Sequence, residues 1–198
     1  KEGINKIHVW RLRTTLESLI RQGTDPLEIV TKACHAHGIE SHFTLRMNDG
    51  HHTYLRADGS VEYPELYSDW LEANKHLRLP IGRLNYAESK VREYRIRQVQ
   101  EVIDRYAVDG IDLDFTRKRP WFPAGEESKC AGLMSELVYE LARRARPKGK
   151  KLKARFEHDP AIMANSGLEI EKWLEDGIFA HITLGCLGDQ WPDPPVDW

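Results

Sequence analysis

Cysteine is scarce in this chain of 198 residues, with three in all: Cys34, Cys130 and Cys186. They stand far apart in no zinc or redox spacing, and three are too few for a disulfide scaffold, so a hydrophobic core has to carry the fold. A charge excess of either sign is also missing. Lys and Arg number 29 against 31 Asp and Glu, a formal net charge of -2. The signs are interspersed, which excludes a nucleic-acid clamp. No apolar run approaches the roughly 20 residues of a membrane span. No segment is of low complexity, and nothing repeats at a fixed period. A basic-then-apolar leader is absent, and the chain opens at Lys1 as if within an element. The expectation is a fragment. Hydrophobic residues make up 40% and charged residues 30%, too apolar for a disordered chain. The length suits one domain or a large part of one, so residues 1–198 are expected to be part of a single domain.

Strand-like and helical runs alternate along the chain. Ile4 to Trp10 reads as a first strand, with Ile7 and Val9 on one face and His8 and Trp10 on the other. Asp25-Pro26 opens a helix, with Asp25 capping and Pro26 in the first turn; Gly38 ends it. Ser41 to Met47 is the second strand. Asn48 to about Lys90 holds Asp49-Gly50, Asp58-Gly59, Pro64 and Pro80 and reads as loops and turns. A helix follows from Ser89 or Lys90 to about Tyr106, a strand from Gly110 to Phe115, and a helix from about Glu126 to Arg146, stopped by Pro147. Leu152 to Phe156 is the fourth strand, Ile170 to Glu175 a short helix, and Phe179 to Leu184 the fifth strand. The tail from Asp189 has no regular pattern.

This alternation predicts a parallel α/β sheet with crossover helices. Strands of an open doubly wound sheet are apolar on both faces. Here each is apolar on one face only. The other face carries His8 and Trp10, Thr44 and Arg46, Asp112 and Asp114, Arg155 and Glu157, then His181 and Thr183. A (β/α)8 barrel of the TIM type explains the pattern: helices cover the apolar face, and the polar face points inward. A flavodoxin-like sheet is the alternative. A full barrel needs about 250 residues, so the chain is expected to hold an incomplete barrel, about strands two to six.

The sharpest segment is Val108-Asp109-Gly110-Ile111-Asp112-Leu113-Asp114-Phe115-Thr116-Arg117. Asp112 and Asp114 share the inner face, with Asp114 nearer the mouth. Carboxylates placed there are what glycosidic cleavage uses as acid, base or nucleophile. Glu157, closing the fourth strand on the same face, is the candidate partner. The structural alternative for all three is ion pairing with Arg46 or Arg155. Arg46, Asn48, Asp49, His51 and His52 follow the second strand to the mouth and offer donors for sugar hydroxyls or a carboxylate. Arg117 and Trp121 follow the third strand, and Trp121 either stacks on a pyranose or caps the barrel core. Adjacent histidines diverge on a strand, and neither His51 nor His52 belongs to an HxH or HxxxH pattern, so no metal and no cofactor is expected. No G-x-S-x-G, P-loop, G-x-G-x-x-G or H-E-x-x-H is present.

Several runs resemble the family-10-like glycosyl hydrolases. They are Asp25-Pro26-Leu27 through Ala36-His37-Gly38-Ile39-Glu40, Leu84-Asn85-Tyr86-Ala87, Val91-Arg92-Glu93-Tyr94, Tyr106 to Phe115, and Gly167 to Trp173 followed by Gly177-Ile178. Arg46-Met47-Asn48-Asp49 with His51-His52 is similar to a variant of large bacterial, often planctomycete, proteins. The resemblance covers nearly the whole chain. It implies a (β/α)8 barrel and polysaccharide processing, usually in an exported, secreted or periplasmic protein. Asp109-Gly110-Ile111-Asp112-Leu113-Asp114 also looks like the strand motif of the family 18 chitinases, which ends in a catalytic Glu two residues on. Thr116 stands at that position here, which argues against a working chitinase.

The expected function is therefore carboxylate-based hydrolysis of a carbohydrate at the mouth of the strands. A barrel that binds carbohydrate without cleaving it is the alternative. A weaker third reading is a metal-assisted hydrolase or lyase using His51 and His52.

Overall fold

The computed structural model describes residues 2–48, 68–80, 82–117 and 119–185. Seven α-helices and four strands are found among them. They are α1 (Glu2–Arg21), α2 (Pro26–Ala36), β1 (His42–Arg46), α3 (Asp69–Ala73), α4 (Ser89–Arg105), β2 (Gly110–Asp114), α5 (Glu127–Ala145), β3 (Lys151–Glu157), α6 (Pro160–Ala164), α7 (Ile170–Glu175) and β4 (His181–Gly185).

The expected first strand, Ile4 to Trp10, is helical and lies within α1. Seven residues of alternation sit there inside about twenty that hold no Pro and, after Gly3, no Gly, and that are rich in Leu and Arg. Over that length helix propensity and helical pairing prevail. The Arg13 Nε to Glu17 Oε1 contact of 2.8 Å, four residues apart, is one such pair. Four strands are therefore found among the described residues where five were expected, and the parallel sheet of an incomplete barrel stands without Ile4 to Trp10. The region expected to be all loop contains α3, capped by the Ser68 hydroxyl accepting from the Leu71 amide. The sequence reading also passed over α6, which Asp159 caps and Pro160 opens.

All pairings within the sheet are parallel and the order is β1-β2-β3-β4. Chain order equals spatial order, as along the arc of a (β/α) barrel, and the reversal of a doubly wound sheet is absent from these four strands. Register aligns Thr44, Asp112, Lys153 and His181 in one row and Arg46, Asp114, Arg155 and Thr183 in the next, with Glu157 opposite Gly185 beyond. Side chains alternate across a strand, so the shared parity read from sequence holds on all four strands.

The opposite face is the core. Ile111, Leu113 and Phe115 of β2 and its exit are fully enclosed, as are Phe156, Trp121 and Trp173. Phe115 sits at the centre of a ring cluster, 5.8 Å from Trp121, 5.5 Å from Phe156 and 5.9 Å from Trp173. Each such side chain contributes about 1.5–3 kcal/mol on burial. From α5, Met134, Leu137, Val138 and Leu141 close over this face. Gly110 starts β2 because nothing larger fits. A Cβ there would lie 2.4 Å from the Lys151 carbonyl oxygen and 2.5 Å from His42 Nδ1.

Candidate functional site

The site grows from the carboxyl ends of β2 and β3. Asp112 and Asp114 are each 6% exposed and Glu157 is 7% exposed. The flanking cations are the exposed members of the same face: Arg46, Arg155 and, partly, Lys153. Arg155 Nε donates to Asp112 Oδ2 at 2.6 Å, and the Thr44 hydroxyl reaches the same oxygen at 3.4 Å. The other oxygen, Asp112 Oδ1, is buried without a hydrogen-bond partner among the described residues. Asp112 is thus held by Arg155, one of the two arginines named from the sequence.

Asp114 is held by its own exit loop. Thr116 donates to Asp114 Oδ1 twice, from its amide at 2.9 Å and from its hydroxyl at 2.6 Å. The Thr116 methyl also faces Gly185 of β4, where a Cβ would stand 3.8 Å away. The exit of β2 thereby leans across toward β4. Glu157 lies one row beyond Asp114 on the adjacent strand, with His158 Nδ1 3.9 Å from its Oε1. Strand spacing and rise put the Cα atoms of Asp114 and Glu157 roughly 8 Å apart.

The structure brings Arg46, Asp112, Asp114 and Glu157 onto one face. It does not bring all of the other named residues there. Asn48 is 1% exposed, and its amide is spent on backbone. Its Nδ2 donates to the carbonyls of Leu84 at 3.4 Å and Pro120 at 3.3 Å, and its Oδ1 accepts from the Leu84 amide at 3.2 Å. Asn48 therefore ties together the loops after β1 and β2 and presents nothing to a ligand. The Trp121 ring has no exposed surface and packs edge-on to Phe115. Core capping, the other sequence alternative for it, describes its place. Arg117 is half-buried just beyond β2. Asp49, His51 and His52 lie outside the described residues, as do Lys118 and Cys186. No cluster of three or more His, Cys, Asp or Glu that could hold a metal occurs among the described residues.

Sequence reading missed two groups. Lys153 shares the parity of Arg155 and was legible by the same alternation. The second group is a buried clamp. The Arg95 guanidinium, 6% exposed, donates to the Met47 carbonyl at 2.8 Å and to the Tyr86 hydroxyl at 3.0 Å. Tyr86 in turn donates to the Met47 carbonyl. Burial pushes the Tyr86 hydroxyl above its ordinary value, so it stays a neutral donor. The clamp fixes the exit of β1, where the Met47 amide also binds the Asp114 carbonyl at 3.0 Å. No motif marks an Arg on an amphipathic helix for burial.

No protein-family model and no curated protein sequence matches the chain. Solved structures do. It is similar to catalytic domain 2 of the group II chitinase of Ostrinia furnacalis, at 18% identity over 80% of this chain and 34% of that one, with a TM-score of 0.45. It is similar to Ega3 of Aspergillus fumigatus, solved with galactosamine, at 15% identity over 77% of this chain and 60% of that one, with a TM-score of 0.40. A maltogenic α-amylase, AmyB of Thermotoga neapolitana, is similar at 14% identity over 70% of this chain and 30% of that one, with a TM-score of 0.38. The chain thus spans about a third of the chitinase and amylase chains. Likeness of this depth assigns neither a reaction nor a substrate. Among the described residues, no helix is long and apolar enough to cross a membrane.

Proposed function

We propose that the chain is the site-bearing part of a family-10-like glycoside hydrolase that acts on a polysaccharide or oligosaccharide, in an exported bacterial protein. The observation that supports this most is the pair Asp114 and Glu157. Both are buried carboxylates at the carboxyl ends of adjacent parallel strands, on one polar face. Glycosidic cleavage uses two such groups, one giving a proton to the leaving oxygen and one acting as base or nucleophile. Asp114 and Glu157 fill these roles. Asp112, held by Arg155, tunes the charge beside Asp114. Arg46 and Arg117 orient the sugar, and Asp49, His51 and His52, next in sequence after β1, are further candidates for binding it. A separation of about 5–5.5 Å between the working carboxyls gives retention, and about 6.5–9.5 Å gives inversion.

The second reading is a face that binds carbohydrate without cleaving it. Thr116 favours it: its two bonds occupy Asp114 Oδ1, an oxygen a proton carrier needs. One experiment separates the two. A polysaccharide panel is assayed for reducing-end release with the wild type, Asp114→Asn and Glu157→Gln. Hydrolysis requires both carboxylates, with each variant at least about 100-fold slower. Undiminished hydrolysis in Asp114→Asn removes Asp114 from the mechanism. Binding with no cleavage by the wild type selects the second reading.

A further inference from the structure

The polar face separates its charges by depth. Every acid on it is buried: Asp112, Asp114 and Glu157 expose 6%, 6% and 7%. The strand cations beside them face outward. Arg46 is exposed, Arg155 keeps 46% of its side chain in solvent while bonded to Asp112, and Lys153 is partly exposed. Register places them around the acids. Arg46 on β1 and Arg155 on β3 flank Asp114 on β2 in one row, and Lys153 flanks Asp112 in the row before. Strand spacing sets the two arginines roughly 10 Å apart, and Lys153 roughly 7 Å back along β3.

A ligand approaching this face meets guanidinium and ammonium groups first. Arginine in a planar fork and lysine as a point charge both favour carboxylates and sulfates. A neutral glycan gives such cations only hydroxyl acceptors, and an amino sugar is repelled by them. Lys153 takes part in no ion pair among the described residues, whereas Arg155 is bonded to Asp112 and Arg46 also has a partner, so the charge most available to a ligand is that of Lys153.

We propose that the polar face is built for an acidic glycan, one whose sugars carry carboxylate or sulfate groups, seated on Arg46, Lys153 and Arg155. This rests on the carbohydrate reading above and names its substrate class.

The test measures binding to trigalacturonic acid and to its methyl ester, which share a sugar skeleton and differ in charge. Calorimetry at about 50 mM and about 300 mM NaCl reads the electrostatic share. Expected are binding of the acid at least tenfold tighter than of the ester, weakening with salt, and a further tenfold loss in Lys153→Glu. Arg155→Gln strips Asp112 of its partner and risks misfolding, so Lys153→Glu and Arg46→Gln carry the test, with circular dichroism as the folding control. Equal affinity for acid and ester overturns the proposal and leaves the carbohydrate reading standing. Binding of polyglutamate or a short RNA as tight as that of the uronate also overturns it, since the face is then a general anion surface. Tighter binding of a chitosan oligomer reverses the assigned sign and overturns it too. No binding of any sugar sinks this proposal together with the carbohydrate reading.

Discussion

Two aspartates three residues apart, one just before β2 and one within it, are wired in opposite ways. Asp109 precedes β2 at the amino end of the sheet. Its Oδ2 accepts from the Ser41 amide at 2.7 Å and meets His35 Nε2 at 2.9 Å. Around it Glu40 bridges Lys151 and His42, and Thr31 bonds Ser41 in a buried hydroxyl pair. Asp112, a row inside β2, has one oxygen on Arg155 and one with no partner among the described residues. The amino end uses its carboxylates and hydroxyls to hold loops to strands, and the one buried side-chain atom left without a partner there, among the described residues, is the His42 ring nitrogen Nδ1. The mouth keeps buried hydrogen-bonding capacity unspent, which native interiors rarely tolerate without a use. In barrels the amino end serves stability and the carboxyl end chemistry, and the site proposed above assigns these four strands the same division.

The largest effect that sharpens this contrast comes from glycines at the two ends. Gly110→Ala drives a Cβ against the Lys151 carbonyl at 2.4 Å, a backbone atom that cannot swing aside. A loss of about 3 kcal/mol is expected, the upper part of the overpacking range. Gly185→Ala, at the mouth, meets nothing nearer than the Thr116 methyl at 3.8 Å among the described residues, and a change within about 0.5 kcal/mol is expected. Urea unfolding of both variants measures the difference. Equal losses erase the distinction between the ends.

Asp109→Asn comes next. The Ser41 amide and His35 together hold the Asp109 carboxyl below its ordinary value of 3.8. A charge-assisted bond becomes a neutral one, costing about 1 kcal/mol. The pH dependence has a fixed sign. A lowered folded-state value makes the contribution complete above the ordinary value, and it is lost as pH falls through the lowered one. Melting temperatures of wild type and Asp109→Asn should therefore converge between about pH 4 and pH 2. A constant gap across that window contradicts the ionised role.

Sequence periodicity made the interior of the sheet legible and left its surroundings less so. β2, β3 and the stripe of α5 alternate strongly because each buries one face, and that parity located Asp112, Asp114 and Glu157 together. Ile4 to Trp10 failed for lack of such a constraint. Ile7 and Trp10 remain 53% and 64% exposed in α1, so no buried face fixes their pattern. Asn48 and Trp121 were misleading in another way. Residues that follow a strand at the mouth serve a ligand or the loops, and their type does not say which. Only burial separates the two, and both are enclosed.

Thr116→Val tests whether Asp114 is positioned by its own loop. The variant keeps the shape and the amide bond of 2.9 Å and loses the hydroxyl bond of 2.6 Å. Stability should fall by about 0.5–1 kcal/mol, and Thr116→Ser should restore it. If Asp114 acts in cleavage, kcat moves in Thr116→Val while KM holds, since the lost bond positions the carboxylate and touches no sugar. A stability loss with kcat unchanged confines Thr116 to the fold.

The smallest stability effect is expected from the same exchange as at Asp109, made three residues along. Asp112→Asn removes a buried charge that has one oxygen unpartnered. The amide keeps an acceptor for Arg155 Nε, and the desolvation carried by the ionised form is relieved. Arg155 stays 46% in solvent and is not stranded when its partner turns neutral. The two terms oppose each other, and the net change should lie within about 0.5 kcal/mol of zero, on either side. Function should not share that indifference, because the charge beside Asp114 changes: turnover in the polysaccharide assay is expected to fall at least about tenfold. Chemical denaturation and the assay together decide the matter. A loss above about 1.5 kcal/mol, larger than that of Asp109→Asn, means that Asp112 supports the fold as firmly as the amino end does.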